Sequence, residues 1–317
     1  GFTSNVAEDR GQVHIFVLWC PNTDIESTLW LAEASMRVDK WHDPTLTLIY
    51  LPHLDYNLQR QGINFSEIGK DLQEIDKVCE DLITYYENQG AEVVIVSEYG
   101  ITDVNNPVHI NRILRRNGYV TVKDELGHET LDTWASRAFA VADHQLAHVY
   151  VKNPEDIPAV KELLNSTQGI ELVLDEEGKR EHHLNHDRSG DLVVMADQDS
   201  WFTYYFWLDD KKAPDYARTV DIHRKPGYDP VEVFTDPDIR FLKGKIGLKL
   251  LKKKLGFRYL MDIIPLNATL VKGSHGRISN EKKNWPLFIT QHPELTGNQS
   301  TIEATDVYKI ILKHLLP

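Results

Sequence analysis

The first half of the chain alternates short apolar runs with amphipathic segments, and this alternation restricts the fold more than any other feature. The runs at 12–19 (QVHIFVLW), 45–51 (TLTLIYL) and 91–97 (AEVVIVS) are rich in apolar and β-branched residues, as buried strands are. The segments at about 66–88 and 108–116 carry apolar residues at helical spacing. Such alternation predicts an α/β fold, in which helices flank a mostly parallel sheet.

In the middle of the chain the strand-like runs become shorter and lose this regular order. One helix is predicted at 154–164, and residues 200–240 are rich in loop-forming residues. We therefore predict that residues 120–245 form an inserted α+β cap. Residues 1–119 and 246–317 would then form the α/β core.

Charge and cysteine content restrict the partners and the compartment. The 317 residues carry a formal net charge of −13 without a long basic run, so we expect no nucleic acid polymer as a partner. No apolar stretch approaches the length of a membrane span, so we expect no membrane partner either. The two cysteines, Cys20 and Cys79, lie far apart and favour a reducing compartment, either the cytoplasm or an organelle.

Polar residues follow the apolar runs at 45–51 and 91–97 and a later apolar run that ends at Val271. A sheet of this type binds its ligands at these positions. These residues are His53, Asp55, Gln59, Glu98, Tyr99, His275 and Arg277. Carboxylates and an imidazole at one rim of a sheet suit a divalent ion such as zinc, magnesium or manganese. Each residue also has an ordinary structural explanation, because Asp55 suits a helix cap and Glu98 an exposed loop. The residues alone leave both interpretations open.

Glycines flank the last of these histidines. Gly273 and Gly276 enclose the pair Ser274-His275, and residues without a Cβ let the backbone come close to a bound group. The pattern indicates either an imidazole that reaches into a crowded polar site or a tight turn with an exposed histidine.

Two further segments lie within the predicted cap. In HRKPGY (223–228), Arg224 and Lys225 stand next to a Pro-Gly turn, which makes this segment, including His223, a candidate for contacting a phosphate or a carboxylate. The aromatic run WFTYYFW (201–207) could stack on a nucleobase, but an apolar layer of the cap is the favoured interpretation.

Three motifs resemble those of the alkaline phosphatase superfamily, in particular its type I phosphodiesterase/nucleotide pyrophosphatase branch, with phosphonoacetate hydrolase close by. DYNLQ (55–59), followed by Gly62, is similar to the family's D-x-x-x-H and the glycine after it. VVIVSEYGI is similar to the strand that ends in S-D-H-G, and GSHGR is similar to the last motif, G-[ST]-H-G. The resemblance covers nearly the whole chain.

The resemblance implies hydrolysis of a small phosphate ester at a two-metal site. Two divalent ions, with zinc expected first and magnesium or manganese as alternatives, would polarise the phosphate while a threonine or serine attacks it. Asp55 and His275 would bind one ion, Gln59 stands at a ligand position, and Glu98 would belong to the other ion.

Three basic side chains are candidates for binding the phosphate of this substrate. Arg277 follows the last motif, and we assign it a phosphate oxygen from its charge alone. His223 and Arg224 would reach the substrate from the predicted cap, since an insertion at this place selects the substrate in the family that the chain resembles.

The motifs also depart from those of the family. Gln59 stands where the family has a histidine, and Glu98-Tyr99 stands where it has Asp-His. Glutamine and neutral tyrosine bind zinc poorly, so two imidazole ligands are absent and the second ion is in doubt.

The family's nucleophile lies upstream of the strand predicted at 12–19. Thr3 and Ser4 are not assigned this role, because neither a strand nor an aspartate precedes them, and no nucleophile is identified in this chain. The chain is then either a fragment of a longer protein or a version that has lost phosphoryl transfer. The uncovered sheet edge would require an N-terminal segment or a second copy in a homodimer.

Two functions are consistent with these observations. The first is a divergent metal-dependent phosphoric ester hydrolase that needs its nucleophile to be supplied. The second is a non-catalytic phosphate- or nucleotide-binding protein with a degraded metal site.

Overall fold

The computed structural model describes Pro21 and residues 23–316. The strand predicted at 12–19 lies outside the described residues, and so do Thr3, Ser4 and Cys20. No helix within 23–316 is both long enough and apolar enough to cross a bilayer.

The described chain begins with three helices, and shorter helices and short strands follow them. The helices are α1 (Ile25–His42), α2 (His53–Gln61), α3 (Phe65–Glu87), α4 (Ile110–Arg116), α5 (Ile157–Asn165), α6 (Glu176–Glu181), α7 (Leu242–Lys254) and α8 (Val307–Leu315). The strands are β1 (Val94–Val96), β2 (Thr102–Asp103), β3 (Asn106–Val108), β4 (Val122–Glu125), β5 (His128–Leu131), β6 (Ala138–Asp143), β7 (Leu146–Val151), β8 (Ile170–Leu174), β9 (Leu192–Ala196), β10 (Ser200–Phe202), β11 (Gly273–Ser274) and β12 (Phe288–Thr290). Helices α3, α4 and α5 lie where the periodicity predicts them.

The largest sheet among the described residues has four strands in the order β6-β7-β9-β8, and each neighbouring pair is antiparallel. All five residues of β9 are buried, so this strand is covered on both faces. The remaining ladders have two strands each. The pairs β4-β5, β1-β12 and β2-β11 are antiparallel, and the pair β3-β10 is parallel.

The described residues therefore do not show the mostly parallel sheet that the sequence predicts. The run at 45–51 belongs to no strand, and its residues Leu48 and Tyr50 are 80% and 61% exposed. The run at 91–97 contributes β1, which pairs antiparallel with β12. An apolar run indicates a tendency to be buried, but the direction of a strand is decided by its partner, which the pattern does not specify.

The aromatic run at 201–207 lies at the centre of the largest cluster of buried side chains. Its six aromatic residues are at most 1% exposed, which confirms that the run is an apolar layer. The cluster extends from Val104 to Val271 and includes residues on both sides of the predicted boundary at 119–120. The division into core and cap stays a prediction.

Strand β11 is held close to the end of α2. The amide of Lys272 donates to the Gln59 carbonyl over 2.8 Å. A Cβ on Gly273 would lie 2.2 Å from the carbonyl oxygen of Leu58, so only glycine allows this approach. Within α2, Asp55 and Gln59 are four residues apart and share one face of the helix. The packing of β11 thus brings the residues after it towards that face.

A loop of the predicted cap is fixed to the end of β6 through its main chain. Gly227 forms a bridge with Ala142, and the amide of Tyr228 donates to the Ala142 carbonyl over 2.9 Å. Gly227 has a φ of 121°, and a Cβ there would lie 2.2 Å from the Ala142 oxygen. Glycine at this position allows Tyr228 to reach the turn between β6 and β7.

We expect Gly227→Ala to lower the free energy of unfolding by on the order of 3 kcal/mol, because backbone strain and a clash with rigid main chain add up. Gly256→Ala is the matched control. Gly256 also has a positive φ, of 78°, but no atom lies within 4 Å of an added Cβ, so its loss should be about 1 kcal/mol. Urea denaturation measures both, and equal losses would show that the contact with β6 is unimportant.

Candidate functional site

Asp55 is the centre of a small polar cluster. The Gln59 amide donates from Nε2 to Asp55 Oδ2 over 2.6 Å, and the Tyr99 hydroxyl donates to Asp55 Oδ1 over 3.3 Å. His275 Nε2 lies 4.0 Å from Asp55 Oδ1. The structure thus brings together Asp55, Gln59 and His275, and Tyr99, which follows the run at 91–97, lies with them.

Four aromatic rings are packed against one another beside Asp55, and the His144 and His275 planes are tilted by 33°. The Tyr99 and His275 ring centroids are 3.6 Å apart with planes 5° apart. The centroids of His144 and His275 are 3.8 Å apart, and those of His144 and Tyr228 are 4.6 Å apart. These rings form a continuous column in the order Tyr99, His275, His144, Tyr228, which we call the ring column. The column fixes the orientation of both imidazoles.

His144 occupies the turn between β6 and β7 in an uncommon conformation. Its φ of 55° is left-handed, which costs a residue other than glycine on the order of 1 kcal/mol. The residue is only 5% exposed, and its Nδ1 has no hydrogen-bond partner. The next residue, Gln145, holds the turn in place, because its backbone amide donates to the His275 carbonyl over 2.8 Å and its side-chain amide donates to the Ser200 carbonyl over 3.1 Å.

Sequence reasoning missed His144 and Tyr228. His144 stands in a short hairpin turn, where an exposed residue is the normal expectation. Tyr228 ends the segment 223–228, in which the basic residues were the candidates. The pair of a buried turn histidine and a glycine-anchored tyrosine could be recognised only from the three-dimensional arrangement.

Burial shifts the pKa values of the two predicted metal ligands in opposite directions. Burial raises the pKa of Asp55 to about 6, and the hydrogen bonds from Tyr99 and Gln59 oppose this rise. Burial lowers the pKa of His275 to about 4, and burial with the nearby His275 lowers the pKa of His144 well below its usual value. At neutral pH the imidazoles are uncharged and Asp55 is ionised. No lysine or arginine within 23–316 forms an ion pair with this carboxylate.

The other predicted residues lie apart from Asp55. Glu98 is exposed in the loop after β1 and does not come within metal-sharing distance of Asp55 and His275. Arg277 binds Glu171 through two hydrogen bonds, of 2.5 and 3.0 Å.

The two candidates from the predicted cap are also directed elsewhere. His223 is exposed. Arg224 binds the Asp215 carboxylate over 2.6 Å and lies over the Tyr216 ring. Asp215 lines a cavity of about 660 Å³ whose basic side chains include Arg218 and Arg258, and no residue of the Asp55 cluster lines this cavity.

The donor atoms at Asp55 suit one divalent ion better than two. The carboxylate and the neutral His275 imidazole are of the types that bind zinc, although their 4.0 Å separation would have to shorten by about half an ångström for tetrahedral coordination. Gln59 and Tyr99, at the positions of the expected imidazoles, direct hydrogen-bond donors at Asp55. The pair Asp55 and His275 therefore fits one shared ion, and a second ion finds no matching set here.

Comparison with known proteins identifies the family. A sequence model of the type I phosphodiesterase/nucleotide pyrophosphatase family matches residues 17–229, about two thirds of the chain. The chain belongs to this family. The matched range contains the motifs at Asp55 and Glu98, whereas the motif at His275 lies beyond it. No curated protein sequence matches the chain.

Two solved structures are similar to parts of this chain. An inactive variant of murine ectonucleotide pyrophosphatase/phosphodiesterase 5 in complex with AMP has a TM-score of 0.51 and 14% identity, over 90% of this chain and 57% of that one. Phosphonoacetate hydrolase from Sinorhizobium meliloti in complex with phosphonoacetate has a TM-score of 0.39 and 16% identity, over 56% of this chain and 43% of that one. The first similarity shows an alkaline phosphatase-like α/β fold, and the chain spans about half the length of these structures.

We expect Asp55→Asn to change the pH dependence of stability in chelator-treated protein. Because the folded state raises the pKa of Asp55 to about 6, the wild type should lose up to about 3 kcal/mol of unfolding free energy as the pH rises from about 4 to 6. The variant has no carboxyl group to ionise, so its stability relative to the wild type should rise over this range and stay constant above it.

Urea unfolding at a series of pH values measures this difference. His275 acts in the opposite direction, since its lowered pKa makes the protein lose stability as the pH falls from about 6.5 to 4. This contribution is present in both proteins and cancels in the difference. A difference that does not vary with pH would mean that Asp55 is ionised in the folded state as easily as in the unfolded state.

Proposed function

We propose that the chain is a divergent metal-dependent phosphoric ester hydrolase of the phosphodiesterase/nucleotide pyrophosphatase type. One observation carries the proposal: the largely buried Asp55 carboxylate lies beside a neutral imidazole, and no lysine or arginine of residues 23–316 pairs with it. A divalent cation would remove the cost of burying this charge and would use both groups as ligands.

Electrostatics supports a cation at this position when the substrate is a phosphate ester. The negative charge of Asp143 adds to the rise in the pKa of Asp55, so the surroundings of Asp55 are acidic. An anionic phosphate would be repelled from such a site unless a cation lies between them. A bound divalent ion supplies this charge and polarises the phosphate.

The chain's own residues would hold and orient that ion. Asp55 and His275 would bind it, Gln59 would keep the Asp55 carboxylate in place, and Tyr99 would hold the His275 ring by stacking. Substrate contacts from Arg277 stay a prediction, and they would require the arginine to leave Glu171. The nucleophile remains unassigned within the described residues.

A non-catalytic phosphate- or nucleotide-binding protein is the second candidate, and one observation favours it. Both Asp55 oxygens already accept hydrogen bonds, and the donors stand where the family has imidazoles. The cluster could therefore be a metal-free remnant of the family's site. For either function, the small phosphate-ester partner, a homodimer and a cytoplasmic or organellar location stay predictions.

Metal content distinguishes the two candidates. We expect the purified wild type to bind zinc or manganese, and Asp55→Ala and His275→Ala to lose about one equivalent of metal. In protein to which the nucleophile segment has been supplied, the same variants should reduce hydrolysis of bis(p-nitrophenyl) phosphate at least 100-fold. Glu67→Ala, in the first turn of α3, is the control and should behave as the wild type. Identical metal content in the wild type and in both variants would exclude an ion at Asp55 and favour the binding protein.

An imidazole introduced at position 59 should strengthen metal binding, whereas the alanine variants should weaken it. Gln59→His places an imidazole of similar size where the family has one, so we expect zinc to bind at least tenfold more tightly than in the wild type. Gln59→Met keeps the size without a strong ligand and is the matched control. Titration of zinc against a competing chelator measures both, and no gain in the histidine variant would argue against an ion shared by Asp55 and His275.

A further inference from the structure

A second group of metal-binding side chains lies on the other side of α2. His53, at the start of α2, faces Asp71 and Glu74 on α3. The two acids are three residues apart, so they share one face of their helix. Each of the three residues offers a ligand atom, and these atoms lie within 4.8 Å of one another. No other set of this kind occurs among residues 23–316.

The distances match those between the ligands of a tetrahedral ion. His53 Nε2 lies 3.3 Å from Asp71 Oδ1 and 3.5 Å from Glu74 Oε2. Zinc bonds of 2.0–2.2 Å place neighbouring ligands roughly 3.3–3.5 Å apart in tetrahedral geometry. Both carboxylate oxygens therefore lie at the distance from the imidazole that a shared ion requires, and they lie within 4.8 Å of each other.

The buried histidine nitrogen faces two carboxylates without forming a hydrogen bond to either of them. His53 is 3% exposed, and its Nε2 has no hydrogen-bond partner although two carboxylates lie nearby. A buried polar nitrogen that makes no hydrogen bond needs an explanation, and a bound ligand is one. A divalent cation placed between this nitrogen and the two carboxylates would be such a ligand.

The surrounding side chains hold the two acids in position. The Asn57 amide donates to Asp71 Oδ1 over 2.8 Å, which orients this carboxylate towards His53. Lys70 contacts Oε1 of Glu74, while Oε2 faces His53. The Glu74 side chain is 27% exposed, so an ion could enter from solvent and keep a water ligand there.

We propose that His53, Asp71 and Glu74 form a separate divalent-cation site that joins α2 to α3. One imidazole and two carboxylates suit zinc, with manganese or cobalt as substitutes. Since α2 also carries Asp55 and Gln59, an ion at this site fixes the helix that positions the Asp55 cluster. The site does not depend on hydrolysis at Asp55.

The test uses the full chain in the His275→Ala background, which removes the ion proposed at Asp55. We expect this protein to bind one equivalent of zinc and to give a visible absorption band with cobalt. Asp71→Asn and Glu74→Gln should weaken zinc binding at least tenfold and abolish the cobalt band. Both variants keep the size of the side chain, and Asp76→Asn and Glu67→Gln on the same helix are the matched controls.

The outcomes separate this site from the proposed function. Zinc that persists in the His275→Ala background and is lost only in the Asp71 and Glu74 variants supports the site, whether or not the protein hydrolyses phosphate esters. Zinc binding that Asp71→Asn and Glu74→Gln leave unchanged would overturn it. An equal loss in Asp76→Asn and Glu67→Gln would also overturn it, because binding would then follow the surface charge of α3.

Discussion

The Asp55 carboxylate is largely buried, and no lysine or arginine in the described part of the chain pairs with it; the candidate site is organised around this constraint. Hydrogen bonds from Gln59 and Tyr99 reduce the cost of this burial but do not cancel it, and the pKa of Asp55 stays high. A protein that keeps such a group needs either a proton or a metal ion to neutralise it. At neutral pH, where the neighbouring His275 is uncharged, the ion is the alternative that also uses the imidazole.

The two departures from the family's motifs form one structural unit. Each replaces an imidazole by a side chain that can donate a hydrogen bond, and both donors point at the same carboxylate. At the positions where the family has imidazole ligands, Gln59 and Tyr99 thus donate hydrogen bonds to the Asp55 carboxylate. Tyr99 also supplies the outer ring of the ring column, so changing it would disturb His275 as well as Asp55.

The sequence predicts the residues of the candidate site better than the sheet around them. Asp55, Gln59 and His275 lie close together in the structure, whereas Glu98 lies apart from them. The direction of the strands could not be predicted, since an apolar run such as 45–51 does not specify its partner. The roles of His144 and Tyr228 could not be predicted either. His144 depends on a left-handed backbone conformation, and Tyr228 depends on the close approach of Gly227 to β6. The role of 201–207 as an apolar layer was predictable, because so many aromatic rings are rarely left exposed.

The contact between Asp55 and His275 joins residues that are 220 positions apart in the sequence. A contact with such a large sequence separation forms only after a long loop has closed, and its entropic cost must be met by other interactions. The hairpin of β6 and β7 and the aromatic layer involve much closer residues and can form earlier. During synthesis, Asp55 leaves the ribosome 220 residues before His275, so its carboxylate stays hydrated in a half-formed site while those residues are added.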